Sequence, residues 1–253
     1  VVYSFLHSSP PKVAIVDQLS SITGQQNHTF VNTCKKILNE SGLTWDYYKG
    51  EDVTVNFYRK LPSYGTSLII LRVHSAIMKT ESGTISILGL FTSERFSLEA
   101  AKKYPEDVND QRLVEAYFSD EERNQNISYF GIVPGFIEKS MEGNFKDTII
   151  IMMGCEGLGY INPLTYAREQ YTDMAEAFVK KGAKVYIGWD GAVSIDNTDT
   201  ATAHLLQSLI LEKQTIKRAV EQTNYAVGPD PAYNSTFKYY PSTAEIGNYA
   251  IPN

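Results

Sequence analysis

The chain has 253 residues, of which 43% are apolar and 21% charged, and its formal net charge at pH 7 is -6. This composition is ordinary for a globular domain, and the negative charge argues against a nucleic-acid-binding protein, which would present a basic face. No apolar run approaches the roughly 20 residues of a membrane span, so no membrane-spanning helix is expected. Two cysteines and four histidines give neither a disulfide framework nor zinc-ligand spacing, and no glycine-rich phosphate loop follows the first strand. We therefore expect no metal and no other cofactor.

The first part of the chain alternates predicted strands with predicted helices. Strands are predicted at 12–17, 43–48 and 67–73, and helices at 27–40 and 55–61. This alternation is typical of βαβ units, whose strands are parallel.

The alternation breaks in the middle of the chain, which predicts an insertion at about 84–146. A hairpin is expected there, with a turn at 81–83 and a strand at 84–91. Polar helical stretches are predicted at 97–103 and 111–118, and a further strand at 127–133.

Alternation resumes in the last part of the chain. A strand is predicted at 147–153, a helix from Asn162-Pro163 to Gly182, a strand at 183–188, and a helix from a cap at 197–199 to about 220. The segment 228–253 lacks periodicity and is expected to be an irregular tail. The pattern predicts one α/β domain over 1–253, a three-layer α/β/α sandwich with a mostly parallel sheet.

Two of the apolar strands end beside residues that are suited to nucleophilic chemistry. The strand at 67–73 is followed by His74, and the strand at 147–153 is followed, after one glycine, by Cys155. Parallel strands present their chemistry just beyond their carboxyl ends, so both side chains are expected at one sheet edge. A neighbouring His can activate a thiol. The other cysteine, Cys34, lies on the apolar stripe of a predicted helix and is expected to be a buried hydrophobe.

These motifs resemble those of the caspase-like cysteine peptidases, which include caspases, metacaspases, gingipains, clostripain, legumain and separase. The shared pattern of that family is an apolar strand ending in His and a later apolar strand ending in Cys, as at His74 and Cys155. The segment 182–196 is similar to the Gly-Ala, strand and Trp arrangement that follows the Cys helix in separase-like and CHAT peptidases. The resemblance covers roughly residues 12–220. It implies a caspase-like fold and a cysteine endopeptidase acting on peptide or protein substrates.

The resemblance also implies a role for each site residue. Cys155 would be the nucleophile and His74 the base of a Cys–His dyad. The backbone N–H groups of Ser75 and Cys155 would form the oxyanion hole. The pocket for the substrate side chain before the scissile bond (P1) would be lined by Met153, Trp189, Asp190 and Asp196.

Several features depart from the family pattern. Ser75 stands where the family usually has Gly, and Met153 stands where its basic-specific members carry Asp. More residues separate His74 from Cys155 than the roughly 50 of caspases, which fits the predicted insertion. Glu156 beside the thiol raises the pKa of that thiol by like-charge repulsion unless its carboxylate points away.

Substrate specificity depends on whether a carboxylate reaches the pocket. A buried cation requires a charged partner, and a carboxylate in the pocket would provide one. P1 should therefore be Arg or Lys if Asp190 or Asp196 points into the pocket. If both turn away, Met153 leaves an apolar wall and P1 should be apolar. Trp189 and Asp190 together offer a flat surface and a charge that suit a guanidinium, which favours the basic alternative.

Two other functions are compatible with the sequence. A caspase-like domain without turnover, acting as a binding or scaffold module at the cell surface, is favoured by Ser75 and Glu156. An esterase of the α/β-hydrolase type needs Gly two residues before its nucleophile, where this chain has Met153, and ranks last. The sequence leaves the oligomeric state open.

Four glycosylation sequons suggest export. They begin at Asn27, Asn39, Asn126 and Asn234, and the chain opens at Val1 without Met. We therefore expect an extracellular or cell-surface protein from which a leader has been removed, with the cytoplasm as the alternative.

Overall fold

A mostly parallel β-sheet forms the centre of the protein. The computed structural model describes residues 12–22, 24–79, 85–162 and 164–251. The strands within these residues are β1 (Lys12–Asp17), β2 (Thr44–Lys49), β3 (Leu68–Arg72), β4 (Ser75–Lys79), β5 (Ile85–Arg95), β6 (Leu113–Ala116), β7 (Tyr129–Ile132), β8 (Thr148–Met152), β9 (Gly159–Ile161), β10 (Arg168–Gln170), β11 (Ala183–Trp189) and β12 (Phe237–Tyr240). The order of the central sheet is β12-β11-β8-β3-β1-β2. Strand β12 runs antiparallel to β11, and the other pairs in this sheet are parallel.

Helices cover both faces of the central sheet. They are α1 (His28–Glu40), α2 (Val55–Lys60), α3 (Leu98–Ala101), α4 (Pro105–Asn109), α5 (Asp120–Asn124), α6 (Pro134–Ser140), α7 (Asp173–Lys180), α8 (Ile195–Leu206), α9 (Ile216–Val227) and α10 (Ala244–Gly247). Successive strand residues point to opposite faces, so Ile69 and Leu71 of β3 join the core beneath α2, α6 and α7. Leu68 and Ile70 join the core beneath α1, α8 and α9. The predicted α/β class with a mostly parallel sheet is confirmed.

Strands β3 and β8 lie side by side in the interior of the sheet. All residues of both strands are buried, as expected for apolar strands covered on both faces. Their parallel register pairs Leu68 with Ile149 and Leu71 with Met152. The two strands therefore end at the same edge of the sheet.

An ion cluster is buried at the end of β3. The Arg72 side chain is fully buried; its Nε lies 2.8 Å from Asp199 Oδ1 and its Nη1 lies 2.9 Å from Asp17 Oδ1. The expectation that residues 197–199 cap a helix is wrong. Helix α8 already begins at Ile195, and the Asp199 carboxylate is used by Arg72 instead of by the helix terminus.

The predicted helix to about residue 220 is interrupted. Helix α8 continues through wide turns at Gln207–Leu211, and α9 begins separately at Ile216. The hydroxyl of Thr215 accepts a hydrogen bond from the Arg218 N–H and caps this second helix.

A second, antiparallel sheet occupies most of the insertion between β3 and β8. Its order is β4-β5-β7-β6 in the part of the chain described. The predicted helix at 111–118 is wrong, because this stretch forms β6 and pairs with β7. An apolar run this short is compatible with the residue spacing of a helix and with that of a strand. The helical stretch predicted at 97–103 corresponds to α3, and the strands predicted at 84–91 and 127–133 correspond to β5 and β7. The turn predicted at 81–83 lies outside the described residues.

The helix predicted from Asn162 begins later in the structure. The Asn162 Oδ1 accepts hydrogen bonds from the N–H groups of Leu164 and Thr165, which is an Asx-type turn in the β9–β10 hairpin. Helix α7 starts only at Asp173. Asn favours helix caps and turns through the same side-chain bond, so the local signal was ambiguous. Pro163 lies outside the described residues.

The segment after residue 228 contains regular structure, although its sequence has little periodicity. Strand β12 forms an edge of the central sheet, and α10 follows it. Among the helices described, none is long and apolar enough to cross a membrane.

Candidate active site

His74 and Cys155 follow adjacent parallel strands and line one cavity. His74 lies two residues beyond β3, and Cys155 lies three residues beyond β8. The cavity at this sheet edge has a volume of about 330 Å³ and is lined by both residues. The predicted placement of the two side chains at one sheet edge is confirmed, whereas catalysis by this pair stays a prediction.

The two loops that follow the strands are in direct contact. The Ser75 hydroxyl donates a hydrogen bond to the Cys155 carbonyl oxygen, with an O···O distance of 2.7 Å. Gly154 lies where the loops come closest. A Cβ at that position would be 2.4 Å from Ser75 Oγ and 2.6 Å from the Val73 carbonyl oxygen.

We expect Gly154→Ala to destabilise the fold by about 1–3 kcal/mol, because the added methyl group overpacks the contact between the two loops. The free energy of unfolding from urea denaturation measures this effect. Gly135→Ala is the matched control: its Cβ would be 3.5 Å from the nearest atom, in ordinary contact. If both substitutions change stability equally, the close approach at Gly154 is not a constraint.

The Cys155 thiol is held by the backbone of the loop after β11. The Val193 N–H donates to Sγ at 3.4 Å, and Sγ lies 3.6 Å from the Val193 carbonyl oxygen. Burial raises the pKa of Cys155, the Val193 N–H opposes this, and the carboxylates of Glu156 and Asp230 add to the increase. The resting group at neutral pH is therefore a thiol.

The His74 imidazole lies in an aromatic environment. Its ring centroid is 4.6 Å from that of Phe91 and 5.2 Å from that of Phe118. Its backbone N–H donates to Gln18 Oε1 at 3.0 Å. Burial lowers the pKa of His74 to about 4. The imidazole is therefore neutral at pH 7, and it is a weaker base than an exposed imidazole.

Stability should fall in acid because of His74. The pKa of its folded form, about 4, is below the ordinary value of 6.5, so its contribution is complete above pH 6.5 and is lost as the pH falls toward 4. We expect the wild type to lose about 3 kcal/mol more unfolding free energy than His74→Phe between pH 7 and pH 4. Denaturation at a series of pH values measures the difference, and parallel curves for the two proteins would contradict it.

The predicted oxyanion hole, the N–H groups of Ser75 and Cys155, belongs to the two loops that meet beside the thiol. Strand β4 is an edge of the second sheet, and its Ile77 N–H donates to Glu156 Oε2 at 3.1 Å. Alternate N–H groups of a strand point the same way, so the Ser75 N–H faces the loop that carries Cys155. The Cys155 N–H takes part in none of the backbone–backbone hydrogen bonds found in the loops of the described residues. The Glu156 carboxylate is directed toward β4, although it still raises the pKa of the thiol.

The predicted pocket residues do not come together. Met153 lines the cavity that holds Cys155 and His74. Trp189 is only 1% exposed; its indole N–H donates to Thr198 and its ring stacks on Phe237, so it is a core residue. The expectation that Trp189 forms a pocket wall is not supported by this position.

The two predicted specificity carboxylates lie elsewhere. Asp190 Oδ1 is 3.0 Å from the Arg168 guanidinium and accepts from the Thr236 N–H, and it lines a different cavity. Asp196 is exposed and lines a cavity next to that of Cys155. The favoured interpretation, a basic pocket formed by Asp190, is therefore corrected, because Arg168 already pairs with this carboxylate.

Several residues that sequence analysis missed complete the cavity. Gln25, Val193, Ser194 and Tyr233 all line it. Asp230 is 2% exposed and accepts hydrogen bonds from the N–H and the hydroxyl of Ser194, at 2.8 and 2.6 Å. These contacts join distant segments, and no local pattern marks them.

Comparison with known proteins does not assign the chain to a family: no family model matches it, and no curated protein matches it. Within the described residues there is no group of three or more His, Cys, Asp or Glu side chains that could hold a metal ion. The geometry around Cys155 and His74 is therefore the basis for assigning a function.

Proposed function

We propose that the protein is a cysteine endopeptidase in which Cys155 is the nucleophile and His74 is the general base. One observation carries this proposal: the two side chains follow adjacent parallel strands and line one cavity. The resemblance of the His and Cys strands to caspase-like peptidases supports the same conclusion. A caspase-like version of the α/β fold is part of the proposal.

The proposed reaction begins with a neutral Cys155 thiol and a neutral His74 imidazole. As Sγ attacks the peptide carbonyl carbon, the thiol proton passes to the neutral imidazole of His74. The oxyanion is held by the N–H groups of Cys155 and Ser75. The C–N bond then breaks, and His74 protonates the leaving amine. Water, deprotonated by the same imidazole, hydrolyses the thioester and restores the thiol.

The cavity favours an uncharged P1 side chain. None of its lining residues in the described part of the chain is Asp, Glu, Lys or Arg. Desolvating a charged side chain without a partner is strongly unfavourable. Arg, Lys, Asp and Glu should therefore be poor P1 residues.

The alternative is a scaffold or binding domain without turnover. It is favoured by the polar contacts of Sγ, which go to Val193 and not to the His74 ring in the described structure. The raised pKa of Cys155 works in the same direction. A substrate that displaces Val193 from the thiol would remove this objection.

Export is a further part of the proposal, supported by the sequons at exposed Asn39, Asn126 and Asn234. The Asn27 sequon is a poor acceptor in this fold. Its Oδ1 caps α1 and its Nδ2 donates to Asp199 at 2.8 Å, so a glycan there would break both bonds.

Cleavage of a peptide library, read by mass spectrometry, tests the peptidase proposal. We expect cuts after uncharged residues and, in parallel, a single site of alkylation by a peptide-based thiol probe, at Cys155. A protein that leaves the library intact and does not react with the probe would be the scaffold instead. Cuts mainly after Arg or Lys would contradict the predicted uncharged pocket.

A further inference from the structure

A carboxamide forms part of the cavity that holds Cys155 and His74. Gln25 lines this cavity, and its Oε1 is buried without a hydrogen-bond partner in the described structure. Buried polar atoms are normally paired, because an unpaired one loses its hydration without compensation. This unpaired acceptor in the cavity wall is therefore available to a ligand group that donates to it.

The rest of the wall is uncharged and largely apolar. The aliphatic and thioether side chains that line the cavity are Leu19, Val73, Met153, Val193 and Ile195. The hydroxyl of Thr198 is already used, since it donates to the Met153 carbonyl oxygen and accepts from Trp189. Gln25 is thus a polar group of the cavity with unused hydrogen-bonding capacity.

The backbone of Gln25 is anchored independently of its side chain. Arg72 Nη2 donates to the Gln25 carbonyl oxygen at 2.9 Å. The same guanidinium is paired with Asp17 and Asp199, so this anchor is part of a buried ion cluster. A change of the Gln25 side chain leaves the anchor intact.

We propose that the cavity selects substrates with a carboxamide side chain at P1, glutamine or asparagine, and that Gln25 is the residue that determines this specificity. A carboxamide has both a donor and an acceptor, so it pairs with the Gln25 carboxamide in either orientation of the amide. An apolar P1 side chain leaves Oε1 unpaired, and a charged one enters without a counter-charge. This inference rests on the proposed peptidase function and adds the substrate class.

Peptides that differ only at P1 test the proposal. Gln, Met, Glu and Lys are similar in length and differ in charge and hydrogen bonding. We expect kcat/KM for the Gln peptide to exceed that for Met by at least about tenfold, since the Met peptide leaves a buried acceptor unpaired. Glu and Lys peptides should be cleaved more slowly than both.

The variant Gln25→Met identifies the residue responsible. It should bring the Gln-to-Met ratio of kcat/KM close to one. Gln26→Met is the matched control: Gln26 is exposed and its Oε1 accepts from the Gly24 N–H, and the ratio should stay at the wild-type value. Thermal denaturation of both variants checks that they are folded. If the Gln25→Met variant is not folded, Gln25→Ala provides a second substitution at the same position.

The outcomes separate this inference from the function on which it rests. If the wild type cleaves peptides but prefers Met, Glu or Lys at P1, the carboxamide specificity is wrong and the peptidase function stands. An unchanged ratio in Gln25→Met would also overturn the role of Gln25. If no peptide is cleaved at all, the proposed function fails, and the inference fails with it.

Discussion

Cys155→Ala is expected to lower kcat/KM for peptide cleavage by at least about a thousandfold, because no other group supplies the attacking atom. The folded state should change by less than about 1 kcal/mol, since Cys155 is only partly buried and its removal leaves no core cavity. Steady-state cleavage of a library-derived peptide and urea denaturation measure the two quantities. Loss of activity together with unfolding would not support a role for the thiol in chemistry.

Cys34→Ala is the matched control for the first prediction. Cys34 is fully buried in α1 and packs in the core with Phe30 and Leu38. Burial raises the pKa of its thiol far above the ordinary value, so it is inert at neutral pH. We expect this variant to lose about 1–2 kcal/mol of stability and to keep wild-type kcat/KM. If Cys34→Ala abolishes cleavage and Cys155→Ala does not, the assigned nucleophile is wrong.

Arg72→Met is expected to cause the largest loss of stability, about 3–5 kcal/mol. The substitution leaves the Asp17 and Asp199 carboxylates, which are 1% and 3% exposed, without their cation. It also removes the donor to the Gln25 carbonyl oxygen, so the segment that lines the cavity loses its anchor. Chemical denaturation measures the loss, and a change below about 1 kcal/mol would contradict the prediction.

Two further variants separate the ion cluster from general packing. Arg72→Met combined with Asp17→Asn and Asp199→Asn should recover part of the lost stability, because no buried charge then remains unpaired. Arg123→Met is the surface control: Arg123 is exposed, and its replacement should change stability by no more than about 0.5 kcal/mol. If the triple variant is no more stable than Arg72→Met alone, the unpaired carboxylates are not the cause.

The layered α/β architecture is predictable from local patterns. Strands β3, β8 and β11 are short apolar runs between polar turns, and α1 has an apolar stripe. Such patterns reflect burial on one or both faces, which is a property of the segment itself. The same reasoning correctly predicted that His74 and Cys155 lie at one edge of the sheet.

Local patterns gave wrong predictions where the same residues are common in two kinds of local structure. Asn162 forms an Asx turn in a hairpin instead of a helix cap, and the stretch around Leu113 pairs as a strand. Asp199 stands near the start of a helix but pairs with Arg72, far away in the chain. In each case a tertiary partner selected between alternatives that are close in local free energy.

The candidate site also has a part that the sequence predicts and a part that it does not. The sequence by itself determined the strand ends that carry His74 and Cys155, because runs of buried residues define them. Only the tertiary structure decided which side chains surround the thiol: Asp190 turned to Arg168, whereas Gln25 and Tyr233 entered the cavity from distant loops. The physical reason is that a pocket is formed by contacts between loops, and the apolar periodicity that predicts strands and helices carries no information about loops.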